Sequence, residues 1–173
     1  MKKKIIGLVL ISSVGLLVSP ILSQKASALT SSTSVTVIPG PLTLVSASDV
    51  NYGQITLNGR NQIKVENSTL RFNDFRGRSN EGWEVTVKRN SEVDNKGIIL
   101  RMRGTGINHE SNRVSIANKF ELSTEAERLV SLNGPVTQPN EFELSLENEL
   151  EVQKNAASGQ SQTVLTWDLR VQP

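Results

Sequence analysis

The chain of 173 residues has no cysteine, one histidine, one tyrosine and two tryptophans. Each scarcity removes a class of explanation. Without thiols there is no disulfide framework, no thiolate nucleophile and no acylated lipoprotein anchor. An exported form must therefore hold itself together by burial and strand pairing. The lone His109 lies between Asn108 and Glu110 in a polar stretch, and its spacing offers no orienting carboxylate or convergent partner. It reads as a solvated loop residue. There is no Gly-x-Ser-x-Gly elbow and no Cys/His metal cluster. Gly104-Thr105-Gly106 lacks the third glycine and following helix of a phosphate loop. The chain is expected to be non-catalytic and to need no cofactor.

Long apolar runs are also scarce, with one exception. Met1-Lys2-Lys3-Lys4 is basic, Ile5 to Ile21 is almost wholly apolar, and Ala26-Ser27-Ala28 is a small-x-small cleavage site. That order predicts a cleaved secretory signal peptide over 1–28, rather than a retained anchor. Removing 28 residues from 173 leaves 145, enough for one domain over 29–173 with a real core. The leader carries four lysines and no acid, so the formal net charge of +2 becomes −2 on its loss. The basic balance belongs to the leader and gives no support for nucleic-acid binding. No second apolar run and no sortase signal follow. The product is expected outside the cell, without a membrane span and without a covalent tether.

The rest of the sequence is written in twos. Leu165, Trp167, Leu169 and Val171 fall on one face of a strand, and Thr166, Asp168 and Arg170 on the other. Gly82-Trp83-Glu84-Val85-Thr86-Val87-Lys88 repeats the arrangement. Shorter strands are expected at Val35–Val37, Leu42–Leu44, Leu70–Phe72, Ile98–Met102, Val114–Ile116 and Phe120–Leu122, and an alternating one at Glu141–Leu146. Ile55–Leu57 and Ile63–Val65 flank Asn58-Gly59, a hairpin signal. A helical turn is plausible within Ser123–Asn133, where Thr124 and Glu127 have capping-box spacing. Gly104-Thr105-Gly106 is expected to close the Ile98 strand. The sum is an all-β, antiparallel β-sandwich of roughly nine to eleven short strands, in one domain.

Charge separates along the chain. Arg71 to Arg103 holds eight bases against five acids, and Glu110 to Glu151 nine acids against three bases. A fold that kept these apart would be electrically two-faced, suiting an anionic envelope polymer or an acidic partner; the alternative is that folding intermixes them. The alternating glutamates from Glu141 to Glu151 read as a solvated outer strand face, not as the paired acids of a glycosidase.

The two tryptophan segments carry a resemblance. Leu165-Thr166-Trp167-Asp168-Leu169 is similar to the distal signature of the WxL-domain surface proteins of Gram-positive bacteria. Asp74-Phe75-Arg76-Gly77, followed by Gly82-Trp83-Glu84-Val85-Thr86-Val87, resembles the family's proximal segment. Tyr52-Gly53 and Ala156-Ala157-Ser158-Gly159 sit where related features occur. The likeness spans about Val35 to Gln172, and departs from the pattern at Val85, where the first segment reads Trp-x-Val. It implies non-covalent attachment to cell-wall peptidoglycan, in assemblies that include membrane-anchored surface proteins of the same gene cluster. The alternative is a structural or adhesive subunit whose main ligand is another protein.

Two roles are open for the indoles. Trp83 and Trp167 either lie on the core face with Val85, Val87 and Leu169, or offer an apolar ring face to sugar. Arg76, Arg78 and Arg170 are candidates to pair with stem-peptide carboxylates. Asp74, ahead of Gly77, is expected to accept backbone N–H groups in its own turn.

Overall fold

The computed structural model describes residues 33–77, 80–91, 97–109, 112–136 and 140–172. The expected leader lies outside the described residues. Among these, the chain forms nine strands and no helix: β1 (Leu42–Ala47), β2 (Gln62–Asp74), β3 (Gly82–Arg89), β4 (Ile98–Ile107), β5 (Val114–Ile116), β6 (Phe120–Glu121), β7 (Glu127–Leu132), β8 (Asn140–Val152) and β9 (Leu165–Gln172). They build two antiparallel sheets, one ordered β1-β2-β8-β4-β6 and the other β5-β7-β3-β9. The expected all-β sandwich is the fold.

The alternation read in the sequence decides which residues enter the core. Leu70 and Phe72 of β2 and Phe142, Leu144 and Leu146 of β8 supply one wall. Trp83, Val85 and Val87 of β3, with Leu129, Val130 and Leu132 of β7, supply the other. All are buried in one cluster. Each such side chain contributes on the order of 1.5–3 kcal/mol through removal from water. Phe72 and Phe142 stack at 4.9 Å, and the Trp83 ring meets both edge-on.

β2 and β8 each run for 13 residues, whereas β3 and β9 have eight. The larger sheet therefore carries a second, smaller cluster of Leu150, Val152 and Ala156, with Tyr52 and Ile55 packed on it from the loops. Buried Asn148 stands on the same side of β8. Its amide donates to the Glu66 carbonyl at 3.2 Å and to Ser68 Oγ at 2.8 Å.

That overhang explains one difference from the expected elements. Ile55–Leu57 does not pair with Ile63–Val65 across Asn58-Gly59; Ile55 is used as cover for the second cluster instead. Leu70–Phe72 is not a separate strand but the end of β2. Val35–Val37 is coil, with both valines exposed. The expected helical turn is replaced by β7. Ser123 Oγ accepts the Glu125 N–H at 3.1 Å in a tight turn, and the strand beyond it lies between β3 and β5. Leu129 is the extra residue of a bulge, so that it and the next residue, Val130, both enter the core, with Leu132 beyond them. Gly104-Thr105-Gly106 does not close β4 but lies within it at a second bulge. A Cβ on Gly104 would stand 2.5 Å from Ile116 Cγ2, which explains the glycine there.

Candidate functional site

The two tryptophan segments, more than 80 residues apart in sequence, are neighbours. β3 and β9 pair antiparallel without a break from Gly82↔Gln172 to Arg89↔Leu165, with Trp83 opposite Val171 and Val87 opposite Trp167. Their inward rows differ in depth. Trp83 is fully buried with Val85, whereas Trp167 and Leu169, on the sheet's edge strand, are half-buried against the core. The core-face role expected for the indoles describes Trp83 fully and Trp167 in part.

The outward row is polar. The Arg170 guanidinium lies 2.7 Å from Glu84 Oε1, its direct cross-strand neighbour, and 3.9 Å from Asp168 Oδ2. Thr166 Oγ1 hydrogen-bonds Asn90 Oδ1. Thr86, Lys88, Thr166, Asp168 and Arg170 border a shallow, open depression of about 320 Å³ on this face. Lys88 and Asp168 are exposed there and available to a ligand.

The turn that feeds β3 is held from within. Asp74 is fully buried, and its Oδ1 accepts the Arg76 backbone N–H at 3.2 Å and Nε at 2.9 Å. Oδ2 takes Nη2 at 2.8 Å, so the pair is bidentate. The same Nη2 donates to the carbonyls of Glu81 and Gly82 at 3.4 and 3.2 Å. Hydrogen bonding to Asp74 raises the Arg76 pKa above its ordinary value and keeps the guanidinium charged. Gly77 takes φ +77°, the left-handed conformation that suits glycine. At Gly82 no side chain fits, because a Cβ would collide with the Leu132 carbonyl. Arg76 thus closes the loop, rather than standing free for an incoming carboxylate. Arg78 lies outside the described residues.

The glutamates of β8 are where a pattern reading falls short. They do occupy the outer face, but in an ion-pair ladder rather than in free solution. Arg103 pairs with Glu147 at 2.6 Å, Lys119 with Glu147 and Glu149 at 3.2 and 2.6 Å, and Arg101 with Glu149 and Glu151 at 3.0 and 2.8 Å. A further pair joins Arg71 to Glu143 at 2.7 Å. The basic and acidic stretches of the sequence are interleaved, since β8 runs between β2 and β4. Among the described residues the two charges are therefore not kept apart. Hydrogen bonds from Arg103 and Lys119 lower the carboxyl pKa values of Glu147 and Glu149 respectively. The signal was available: a basic strand and an acidic strand with charges at every second position fit one another face to face.

His109 is half-buried, with its ring edge-on to Phe142 at 5.2 Å. Among the described residues, no group of three or more His, Cys, Asp or Glu side chains is placed to hold a metal ion. Among the same residues there is no helix long and apolar enough to cross a membrane. Compared with models of known protein families, the chain matches none, and a search of curated proteins likewise finds no match.

Proposed function

We propose that this chain is an exported, non-catalytic domain that attaches non-covalently to the peptidoglycan of a Gram-positive cell wall, in the manner of the WxL-domain surface proteins it resembles. What carries the reading is the pairing of β3 with β9. The two segments on which the resemblance rests come together along their whole length as one structural unit, closed at one end by the Asp74–Arg76 turn. A unit of that kind gives a reason for both motifs to be kept in one chain. Its outer row offers a cation at Lys88 and an anion at Asp168, with the Thr166 hydroxyl beside them. That mixture suits a ligand combining charged peptide stems with sugar hydroxyls. The leader pattern and the lack of any thiol fit a product held at the surface by what it binds.

The test is sedimentation with washed sacculi. The purified mature chain is expected to pellet with them at low salt, and Lys88→Ala with Arg170→Ala to shift it to the supernatant while leaving the fold intact. A wild-type protein that stays in the supernatant overturns the reading.

The second reading, a structural or adhesive subunit whose ligand is another protein, is favoured by β9 being an edge strand. Its outer backbone groups are free to take a further strand. Cross-linking on intact cells separates the two: one dominant protein partner, with sacculus binding lost in its absence, favours the second.

A further inference from the structure

The sandwich has four edge strands, and they are not alike. β5 and β6 have three and two residues, too short to template much. β1 is interrupted by a bulge between Leu44 and Ser46, a common way of spoiling an edge. β9 is eight residues long and pairs with β3 in unbroken register, with no proline or bulge within it. Among the described residues, no backbone hydrogen bond joins its other side to a strand; β1 comes near without bonding. Its inward side chains Trp167 and Leu169 are only half-covered, and Val171 is 42% exposed. The sheet that ends in β9 has four strands and faces one of five.

The same chain carries a segment with the complementary defect. Thr33-Ser34-Val35-Thr36-Val37-Ile38 precedes β1, contains no charge, and alternates hydroxyl with β-branched apolar residues. Val35, Val37 and Ile38 are 86%, 85% and 80% exposed, the three most exposed large apolar side chains among the described residues. Its root is firm. The Gly40 N–H donates to the Phe75 carbonyl at 2.8 Å and the Phe75 N–H to the Pro41 carbonyl at 2.9 Å. Fully extended at ~3.3 Å per residue, six residues span about 20 Å, within the roughly 26 Å of β9.

We infer that Thr33–Ile38 of one copy pairs as a fifth strand on the free edge of β9 in a second copy. Val35 and Val37 then turn inward over Trp167, Leu169 and Val171, and Thr36 turns outward beside Asp168. The occupant is a second copy because each half lacks a partner: Val37 and Ile38 are exposed, and β9 carries no strand on its outer side. The absence of charge on the arm lets it lie against the Glu84–Arg170–Asp168 row without like-charge opposition. Arm and edge are different surfaces, so the contact is head-to-tail, and its repetition from copy to copy builds open chains. The inference goes beyond wall attachment and does not rest on it.

The absence of native thiols allows a clean test. Thr36→Cys and Asp168→Cys are placed in separate full chains, mixed, and treated with a short bis-maleimide reagent that tolerates a slip in register. A heterodimer is expected only in the mixture, and a chain carrying both substitutions is expected to give a ladder of oligomers. Val35→Asp with Val37→Asp, outside both sheets, is expected to leave the circular dichroism unchanged and to abolish the ladder. A doubly substituted chain that cross-links only within itself means the arm closes on its own edge, and overturns the inference. So does a mixture that gives no heterodimer, or a ladder that survives the aspartates.

Discussion

The indole of Trp83 meets the ring of Phe142 edge-on, at a centroid distance of 4.9 Å and an interplanar angle of 66°. The two residues belong to opposite sheets, so the contact reports directly on the sandwich being closed. Trp83→Ala is expected to cost about 3–5 kcal/mol in urea denaturation, because the cavity lies between sheets that cannot collapse onto it. Trp83→Phe keeps a ring there and costs less. Trp167→Phe, at a half-covered position, is expected to be milder still. Equal costs for Trp83→Ala and Trp167→Ala would contradict the burial described here.

Asp74 is out of water, and Arg76 is its only charged hydrogen-bond partner among the described residues. Removing one member of a buried pair leaves the other uncompensated, which costs roughly 3–5 kcal/mol. Arg76→Ala and Asp74→Ala are each expected to fall near that range. The double variant is expected to lose much less than their sum. A double-mutant cycle measures the difference, and additivity would mean the pair is not coupled.

Acid should act through the β8 ladder. The carboxyl pKa values of Glu147 and Glu149 are lowered in the folded chain from an ordinary 4.5. Their contribution to stability is therefore present above pH 4.5 and is lost as pH falls through the lowered folded values. Glu147→Gln with Glu149→Gln is expected to flatten the fall of Tm below pH 4.5. High salt should flatten it too, since the ladder lies on the outer face of the sheet, where ions screen it. An acid limb unchanged in the double variant would assign acid unfolding to other carboxylates.

Alkali tests the second cluster. Burial, then the nearby Glu66 and Glu149 charges, push the Tyr52 phenol from 10.0 up to about 12. Between pH 10 and about 12 the unfolded chain ionises first, so stability falls across that window as pH rises. Tyr52 is the only tyrosine, so ultraviolet difference absorbance follows it alone. Its midpoint is expected near 12 in the native chain and near 10 in urea; a native midpoint near 10 would place Tyr52 in open water.

Gly82 and Gly77 make a matched pair of substitutions. At Gly82 an added methyl meets backbone, the Leu132 carbonyl, which cannot swing aside. At Gly77 the space is open within 4 Å, and the strain comes only from φ +77°. Gly77→Ala is expected to cost about 1 kcal/mol. Gly82→Ala should cost several times that or prevent folding, read from thermal melts of both variants.

Sequence periodicity revealed the sandwich because its signal is local. The alternation through Trp83–Val87 and Leu165–Val171 is enough to define two strands and their inward rows. It did not reveal that these strands are partners, since pairing is set by β7 and β9 reaching β3 from far along the chain. The Asn58-Gly59 hairpin failed for a related reason. Local turn chemistry was right, but Ile55 was needed over a cluster that exists only because β2 and β8 outrun the opposite sheet. Asp74 was legible as a turn acceptor; its grip on Arg76 followed from burial, which no two-residue pattern reports. The glutamates were placed on the correct face and their partners missed, because the partners lie on β4 and beside β6.

β8 lies between β2 and β4, and β3 pairs with β9 along its whole length. Neither sheet can zip shut until residues 140–172 have joined the rest. The wiring therefore delays folding kinetically, since distant strands must find each other after most of the chain is made. Until then both long sheets stand open along the edges that β8 and β9 will close, and the chain is held together only by its shorter-range pairings.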